Sequence, residues 1–514
     1  MWSWLLLVAS ATVVAAVNIS CPTDYTAFAS TKHAPLSSGK YHLSYMRPPK
    51  GCRTFNSPEI EKTITRMQSV IKDPDLYRLF ENSWPNTLDT TIKWRGYAAD
   101  NLDEELCFLI TGDIDAMWLR DSANQLQSYL SMLTASDSEQ SLAALYRGVI
   151  NLQSRYLLEY PYCQAFQPPT ESGLTPSVNS AANDDTVTPP YSNQTVFECK
   201  YELDSLAAFL AVSTNYFGAT QDAEFFGKYQ WRTAVRKILN ETQAQRIGTY
   251  GANGSVNPSA YAFTRETTDS EDTQDNNGMG NPFRSGTGLV RSFFRPSDDA
   301  TIFQGFIPGN MMFARYLESA SLIAKAIKES DLAVEMQSFA KEIRAAIGKY
   351  GIAAISAPCQ SDIYAFEVDG YSSRNIMDDA NIPSLLAAPF FGYLNENGSV
   401  YQATREILLS SNNPYYMEGP VITGIGSVHT GPGYVWPMAL VVRILTSNND
   451  DEITSNLQQL LRSTNGLGLL HESVNSYNQS DYTRPWFAWV NGLFGQMILD
   501  LEVRKPHILG QSFQ

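Results

Sequence analysis

Histidine is scarce in this chain, with five among 514 residues. The two that fall in acidic and aromatic loops, His429 and His471, lack a second ligand at the i+3 to i+5 spacing of a helical metal site. Asp113 and Asp115 begin like a calcium loop, but Met117 takes the next alternate position and no Gly-then-Glu pattern completes it. There is no G-x-S-x-G elbow, no Gly-rich loop with its phosphate-binding lysine, and no cysteine beside an obvious activating partner. These absences argue against a metal centre, a Ser or Cys triad and nucleotide chemistry, and they imply no cofactor. Basic residues are also in the minority, 37 Lys and Arg against 53 Asp and Glu, for a net charge of −16. That field repels a polyanion, so a nucleic-acid partner is excluded and a neutral substrate is expected.

Long apolar runs are missing except at the very start, where MWSWLLLVASATVVAAVNIS carries one from Trp2 to Val17. It ends in small residues around Ala15 and Ala16, is short for a bilayer span of roughly 20 residues, and reads as a signal peptide over residues 1–17. The expectation is a secreted protein with no membrane segment in its mature form. Asn-X-Ser/Thr sites at Asn18, Asn193, Asn240, Asn253, Asn397 and Asn478 agree with passage through the secretory pathway. The six cysteines, Cys21, Cys52, Cys107, Cys163, Cys199 and Cys359, are even in number, and spacing alone does not choose among their pairings.

Helical periodicity, by contrast, is plentiful. Ser330 precedes apolar residues at Leu332, Met336, Phe339, Ala340, Ile343 and Ile347, and Gly348 stands where a C-terminal cap belongs. Similar segments are predicted at 57–72, started by Ser57 and Pro58, at 121–134, at 138–157 with Ser136 and Glu139 as a capping box, and at 203–216, 221–240, 308–328, 381–391, 399–411, 436–447, 451–463 and 486–501. About a dozen helices with few alternating strands make the chain mainly α. Residues 165–196 and 245–290 are polar and turn-rich and read as surface insertions, leaving 18–514 as one domain.

The connections between helices carry the unusual residues: GDIDAMWLRDS (112–122), KYELDS (200–205), FRPSDDA (294–300), MDDANIP (377–383), GIGSVHTGPGYVW (424–436), LLHESVN (469–475) and TRPWFAW (483–489). Loops on a rigid scaffold are where binding and chemistry reside. Once metals and nucleophilic triads are set aside, carboxylates remain. Sugar hydrolysis needs two of them, one protonated for the leaving oxygen and one ionised to activate water or to attack. Aromatic rings suit the apolar faces of a pyranose, and Asp/Arg forks suit its hydroxyls. The same doublets, Asp298–Asp299 and Asp378–Asp379, also suit plain helix caps or turns.

The ordered strings GDIDAMWLRDSANQ, YELDSL, FRPSDDA, YAFEVDG, MDDANIPSLL, NPYYMEG, GIGSVHT and YTRPWFAW, over about residues 57 to 502, resemble glycoside hydrolase family 125, the exo-α-1,6-mannosidases. The resemblance implies an (α/α)6 toroid with its site where the loops gather, and metal-independent, inverting removal of a terminal α-1,6-linked mannose from a mannan or glycoprotein glycan. Carried over by motif, the general acid is an aspartate of RPSDDA, Asp298 in preference to Asp299, and the general base is Glu472. Trp118, Arg120, Asp121, Asp204, Arg295, Asp299, Asp379, His429 and Arg484 are implied as sugar contacts. Asp113 and Asp115 could grip the sugar or brace their loop, and His471 could be structural. Burial beside Asp299 is expected to raise the pKa of Asp298, while Glu472 stays ionised. HESVN in place of a Gly-containing loop, and the extended 165–196 stretch, depart from the bacterial pattern at positions beyond the first sugar. Two rivals remain at this stage: a glucoamylase-like toroidal glycosidase, and a secreted glycan-binding protein without catalysis.

Overall fold

The computed structural model describes residues 20–354 and 361–514; the leader, the sequon at Asn18 and Cys359 lie outside the described residues. Twelve helices of nine residues or more appear among them. They are α1 (Pro58–Val70), α2 (Pro74–Ser83), α3 (Leu119–Gln127), α4 (Leu142–Glu159), α5 (Leu203–Thr220), α6 (Trp231–Ala244), α7 (Ile307–Ala326), α8 (Ser330–Tyr350), α9 (Ser399–Leu408), α10 (Pro437–Leu445), α11 (Asp450–Arg462) and α12 (Ala488–Arg504).

Local chemistry accounts for most of these boundaries. Ser57 caps α1 by accepting from Ile60 N, with Pro58 in the first turn. The same logic builds α2, which the periodicity reading omitted: the Asp73 carboxylate accepts from the amides of Asp75 and Leu76, and Pro74 follows it. In α8 every residue of the expected apolar series is buried, each large side chain contributing roughly 2 kcal/mol.

Four expectations are corrected. The cap of α4 is Ser141, which accepts from Ala144 N, and the helix therefore starts after the Ser136–Glu139 box. Helix α8 continues through Gly348 to Tyr350, because the ladder persists until Gly351 N reaches Ile347 O. The segment expected as one helix over 221–240 is broken at Tyr229, whose φ/ψ of −117°/−147° is non-helical, into Ala223–Lys228 and α6. Residues 381–391 form successive turns instead of a helix. Pro383 and Pro389 remove donors there, and the Asp378 carboxylate takes the amides of Leu385 and Leu386 at 2.9 Å each, drawing them away from a helical ladder.

Strands are many but short, two to six residues each, in sheets of at most three. Three of them, Met117–Trp118, Gly305–Phe306 and Tyr434–Val435, lead directly into α3, α7 and α10. The two polar stretches are stitched to each other, with Asp185–Thr188 pairing antiparallel to Ala262–Arg265. One apolar cluster runs from Leu43 to Phe513. Disulfides join Cys21 to Cys52 and Cys163 to Cys199, and Cys107 is a buried free thiol.

Five helices set the stage for the site. Helix α3 packs on α5, α5 on α7, α10 on α12, and α12 back on α3. Each begins at a bulky or acidic residue, Trp118, Glu202, Phe306, Trp436 or Phe487, with no side-chain cap. Their first amides are taken up by neighbouring segments instead, as in Leu119 N to Gln164 O and Ile307 N to Phe366 O. The first-turn partial positive charge of such helices favours nearby carboxylates. Helix α12 comes close to its neighbours through Gly495, where an added Cβ would meet Trp84 Cδ1 at 2.3 Å.

Candidate active site

A pocket opens beside the starts of α3 and α12. Trp118, Arg120, Asp121, Asp298, His429, Glu472 and Arg484 line it, together with Thr111, Asp113, Ile114, Ser297, Asn381, Phe487 and Trp489. Residues 371 positions apart in sequence, Asp113 and Arg484, therefore meet there in an ion pair.

One wall is organised by Arg120 in the first turn of α3. Its Nη1 donates to Glu202 Oε2 at 2.6 Å and to Asp204 Oδ2 at 3.3 Å, and its Nη2 donates to Asp298 Oδ1 at 3.3 Å. Its Nε lies 3.5 Å from Asp121 Oδ2. Asp298 sits in a tight turn between the paired strands Phe294–Arg295 and Asp299–Ala300, with φ of 26° at Ser297 and 67° at Asp298. An aspartate tolerates that left-handed conformation better than most residues, and the turn projects its carboxyl into the pocket. The indole Nε1 of Trp118 donates to Asp298 Oδ2 at 2.9 Å, and Lys200 Nζ donates to the Asp298 carbonyl at 2.8 Å. The backbone N–H of Lys200 donates to Gln164 Oε1 at 2.6 Å beside the Cys163–Cys199 bridge, which fixes the residue.

The opposite network holds Glu472. Asn491 of α12 clamps Leu470 through both its amide and its carbonyl at 2.9 Å, which sets the backbone entering His471 and Glu472. His471 stacks on Tyr482 with ring centroids 3.8 Å apart, and its Nδ1 lies 3.1 Å from Arg484 O. Burial pulls the His471 pKa down to about 4, so it is a neutral structural ring. Arg484, at φ 50°, turns its guanidinium back so that Nε donates to Glu472 Oε1 at 2.9 Å while Nη1 pairs with Asp113. Asp113 thus braces the pocket mouth. Asp115 instead pairs with the exposed Lys93 and takes no part in the lining.

Asp204, Arg295, Asp299 and Asp379, expected from sequence as sugar contacts, are buried and stand behind the residues that line the pocket. Asp204 and Asp379 are buried, and Arg295 Nη1 bonds Asp379 Oδ2 at 2.7 Å. Asp379 Oδ1 in turn accepts from Asn381 Nδ2 at 3.1 Å, fixing a lining residue. Asp299 is buried and bonds His429 Nδ1 at 3.1 Å, so of the doublet only Asp298 faces the pocket.

Charge states follow from this layering. Burial would lower the His429 pKa, but its bond to Asp299 and the charges of Asp299, Glu472 and Asp298 raise it to about 9. Burial pushes Asp121 up to about 6 against the opposing effect of Arg120. Burial likewise drives Asp299 up, against His429 and Arg295. The expectation for Asp298 is overturned. Burial acts upward, but Arg120, Lys200 and the hydrogen bonds of Glu202 and Trp118 outweigh it and hold Asp298 below the usual carboxylate value. Glu202 moves the other way, well above its usual value, through burial and the like charges of Asp204 and Asp298.

Sequence reasoning missed Asn381, Phe487 and Trp489 as lining residues and Glu202 as a partner of Arg120, although all lie in the quoted loops. Among the described residues no group of three or more His, Cys, Asp and Glu side chains could hold a metal ion, and no helix is long and apolar enough to cross a membrane.

An α-rich scaffold whose loop pocket pairs carboxylates with arginines and aromatic rings defines a carbohydrate-active hydrolase. The family model described as metal-independent alpha-mannosidase matches residues 73–499, and the chain belongs to that family, glycoside hydrolase family 125. The meiotically up-regulated gene 157 protein of Schizosaccharomyces pombe is 44% identical over 495 residues, covering 96% of this chain and 95% of its own. A solved metal-independent α-mannosidase of Streptococcus pneumoniae, in non-productive complex with α-1,6-mannobiose, has a TM-score of 0.76 at 33% identity, covering 88% of this chain and 100% of its own.

Proposed function

We propose that the protein is a secreted exo-acting α-mannosidase that removes terminal α-1,6-linked mannose with inversion, on an (α/α)6 toroid. The observation that carries this reading is the separation of two carboxyl groups into distinct networks around one pocket, Asp298 with Trp118 and Arg120, and Glu472 with Arg484. Asp298 acts as the general acid on the departing oxygen and Glu472 as the base that takes a proton from water, the division that single displacement requires. Asp121, His429 and Asn381 offer hydrogen bonds to sugar hydroxyls, and Trp118, Phe487 and Trp489 offer apolar faces. The α-1,6 linkage is supported by the disaccharide bound to the Streptococcus pneumoniae relative.

Secretion is supported by the exposure of the five described sequon asparagines, Asn193, Asn240, Asn253, Asn397 and Asn478. Its test is recovery of the protein outside the cell, with a mobility shift on removal of N-glycans.

Mannose release from α-1,2-, α-1,3- and α-1,6-mannobiose tests the substrate. The α-1,6 isomer is expected to be cleaved and the others largely spared; comparable rates on all three, or activity on maltose alone, would overturn the assignment. NMR of the earliest product should show β-mannose, and α-mannose would replace Glu472 as a base by a nucleophile.

A further inference from the structure

The proposed acid poses a problem of its own. Asp298 must carry a proton to act, yet Trp118 and Arg120 donate to both of its carboxyl oxygens and favour the anion. The solution lies at Glu202, the residue that opens α5 and does not line the pocket. Its Oε2 accepts from Arg120 Nη1 at 2.6 Å and from Ser205 Oγ at 3.0 Å. Its Oε1 is buried and has no donor, and Arg120 holds Glu202 and Asp298 side by side on the two terminal nitrogens of one guanidinium. A buried carboxylate oxygen without a donor is costly as an anion, whereas a protonated carboxyl carries its own hydrogen to give.

Counting the charges that face this spot leads to the same point. Arg120 is surrounded by Asp121, Glu202, Asp204 and Asp298, and the further cations nearby are already engaged, Lys200 with Asp272 and the Asp298 carbonyl, His429 with Asp299, and Arg484 with Glu472 and Asp113. Four carboxyl groups around one guanidinium, with Glu202 and Asp204 fully withdrawn from solvent, cannot all stay ionised in a low dielectric.

We infer that Glu202 and Asp298 share one proton, and that Glu202 is the positioning residue that keeps this proton available to the acid. In the cycle, Asp298 gives the shared proton to the glycosidic oxygen as the C–O bond breaks, and Glu472 takes a proton from the attacking water. The pair, now doubly anionic, regains a proton from solvent while Glu472 releases its own, so charge and protons balance. A pair that titrates together has apparent pKa values belonging to neither residue alone.

The inference rests on the proposed acid role of Asp298, and the test separates the two. Glu202→Gln preserves size and a hydrogen bond to Asp298 but removes the exchangeable proton. In it, kcat/KM on α-1,6-mannobiose at neutral pH should fall roughly a hundredfold, the size of a general-acid contribution, and its alkaline limb should move to lower pH. Activity on an aryl mannoside with an acidic phenol, which needs little protonation, should fall far less, and Glu202→Asp should restore part of the mannobioside activity. Equal losses on both substrates with an unmoved limb would make Glu202 merely structural and overturn the inference. A second measurement does not depend on turnover. In protein carrying 13C at the aspartate carboxyl groups, the Asp298 signal, assigned by its disappearance in Asp298→Asn, should titrate at lower pH in Glu202→Gln than in wild type; the same midpoint in both would overturn it. If Asp298→Asn lacks leaving-group dependence while the NMR midpoint still moves, the shared proton stands and the acid assignment falls.

Discussion

Trp118 Nε1 and Asp298 Oδ2 lie 2.9 Å apart, which makes an aromatic residue of the pocket wall a hydrogen-bond donor to the proposed acid. The indole favours the ionised carboxyl. Trp118→Phe keeps an aromatic face and removes the donor, so Asp298 should hold its proton to higher pH, and the alkaline limb of kcat/KM should rise. A hydrogen bond to a charged group is worth about 1.5–3 kcal/mol, so kcat on mannobiose should also drop by roughly ten- to a hundredfold as the carboxyl loses its tether. An alkaline limb that moved down would contradict the stated role of the indole.

The two carboxyl groups should separate by substrate. Glu472→Gln is expected to be nearly inactive on mannobiose and aryl mannoside alike, because no leaving group replaces the base. Asp298→Asn should retain much more activity on an aryl mannoside with an acidic phenol than on mannobiose. If Asp299→Asn showed that leaving-group dependence instead, the acid would be the buried neighbour.

His429 and Asp299 give a pH prediction with a definite sign. The His429 pKa is raised from 6.5 to about 9 by its bond to Asp299. The stabilisation it provides is therefore fully present below the ordinary histidine value and is lost as pH rises through about 9. Thermal melting of wild type and His429→Gln, followed against pH, should show a gap at acidic pH that closes on the alkaline side. A gap that widened with rising pH would reverse the assignment.

Packing supplies a fourth test. Gly495→Ala would push a methyl group to 2.3 Å from the Trp84 indole, a fully buried ring that cannot yield freely. Overpacking of this kind costs typically about 1–3 kcal/mol, to be read as a lowered denaturation midpoint. Gly348→Ala, in a helix with open space at that Cβ, should be neutral or stabilising.

Much of the scaffold was legible from spacing and caps, as Ser57–Pro58 and the buried series of α8 show. The failures have local causes. Ser136 and Glu139 present the right letters for a capping box, but Ser141, with Ala144 where the box would put an acid, provides the bond. Residues 381–391 carry helix-like apolar spacing, yet Asp378, outside the expected helix, captures two amides inside it. At the pocket, sequence named the right loops but not their depth. Asp298 and Asp299 are adjacent letters, and only the turn at φ 67° sends one into the pocket and the other to His429. The lowered proton affinity of Asp298 was unreadable for the same reason, since Arg120 lies 178 positions away.

Helix α12 packs back on α3 and, through Asn491, holds the backbone that presents Glu472. A chain emerging from the ribosome therefore carries Trp118, Arg120 and the paired acids long before it has anything to face them. Until Glu472, Arg484 and α12 have been made, those carboxylates have no opposing Arg484. Under the proposed roles of Asp298 and Glu472, a truncated chain lacking α12 is therefore expected to keep the first wall of the pocket and yet release no mannose.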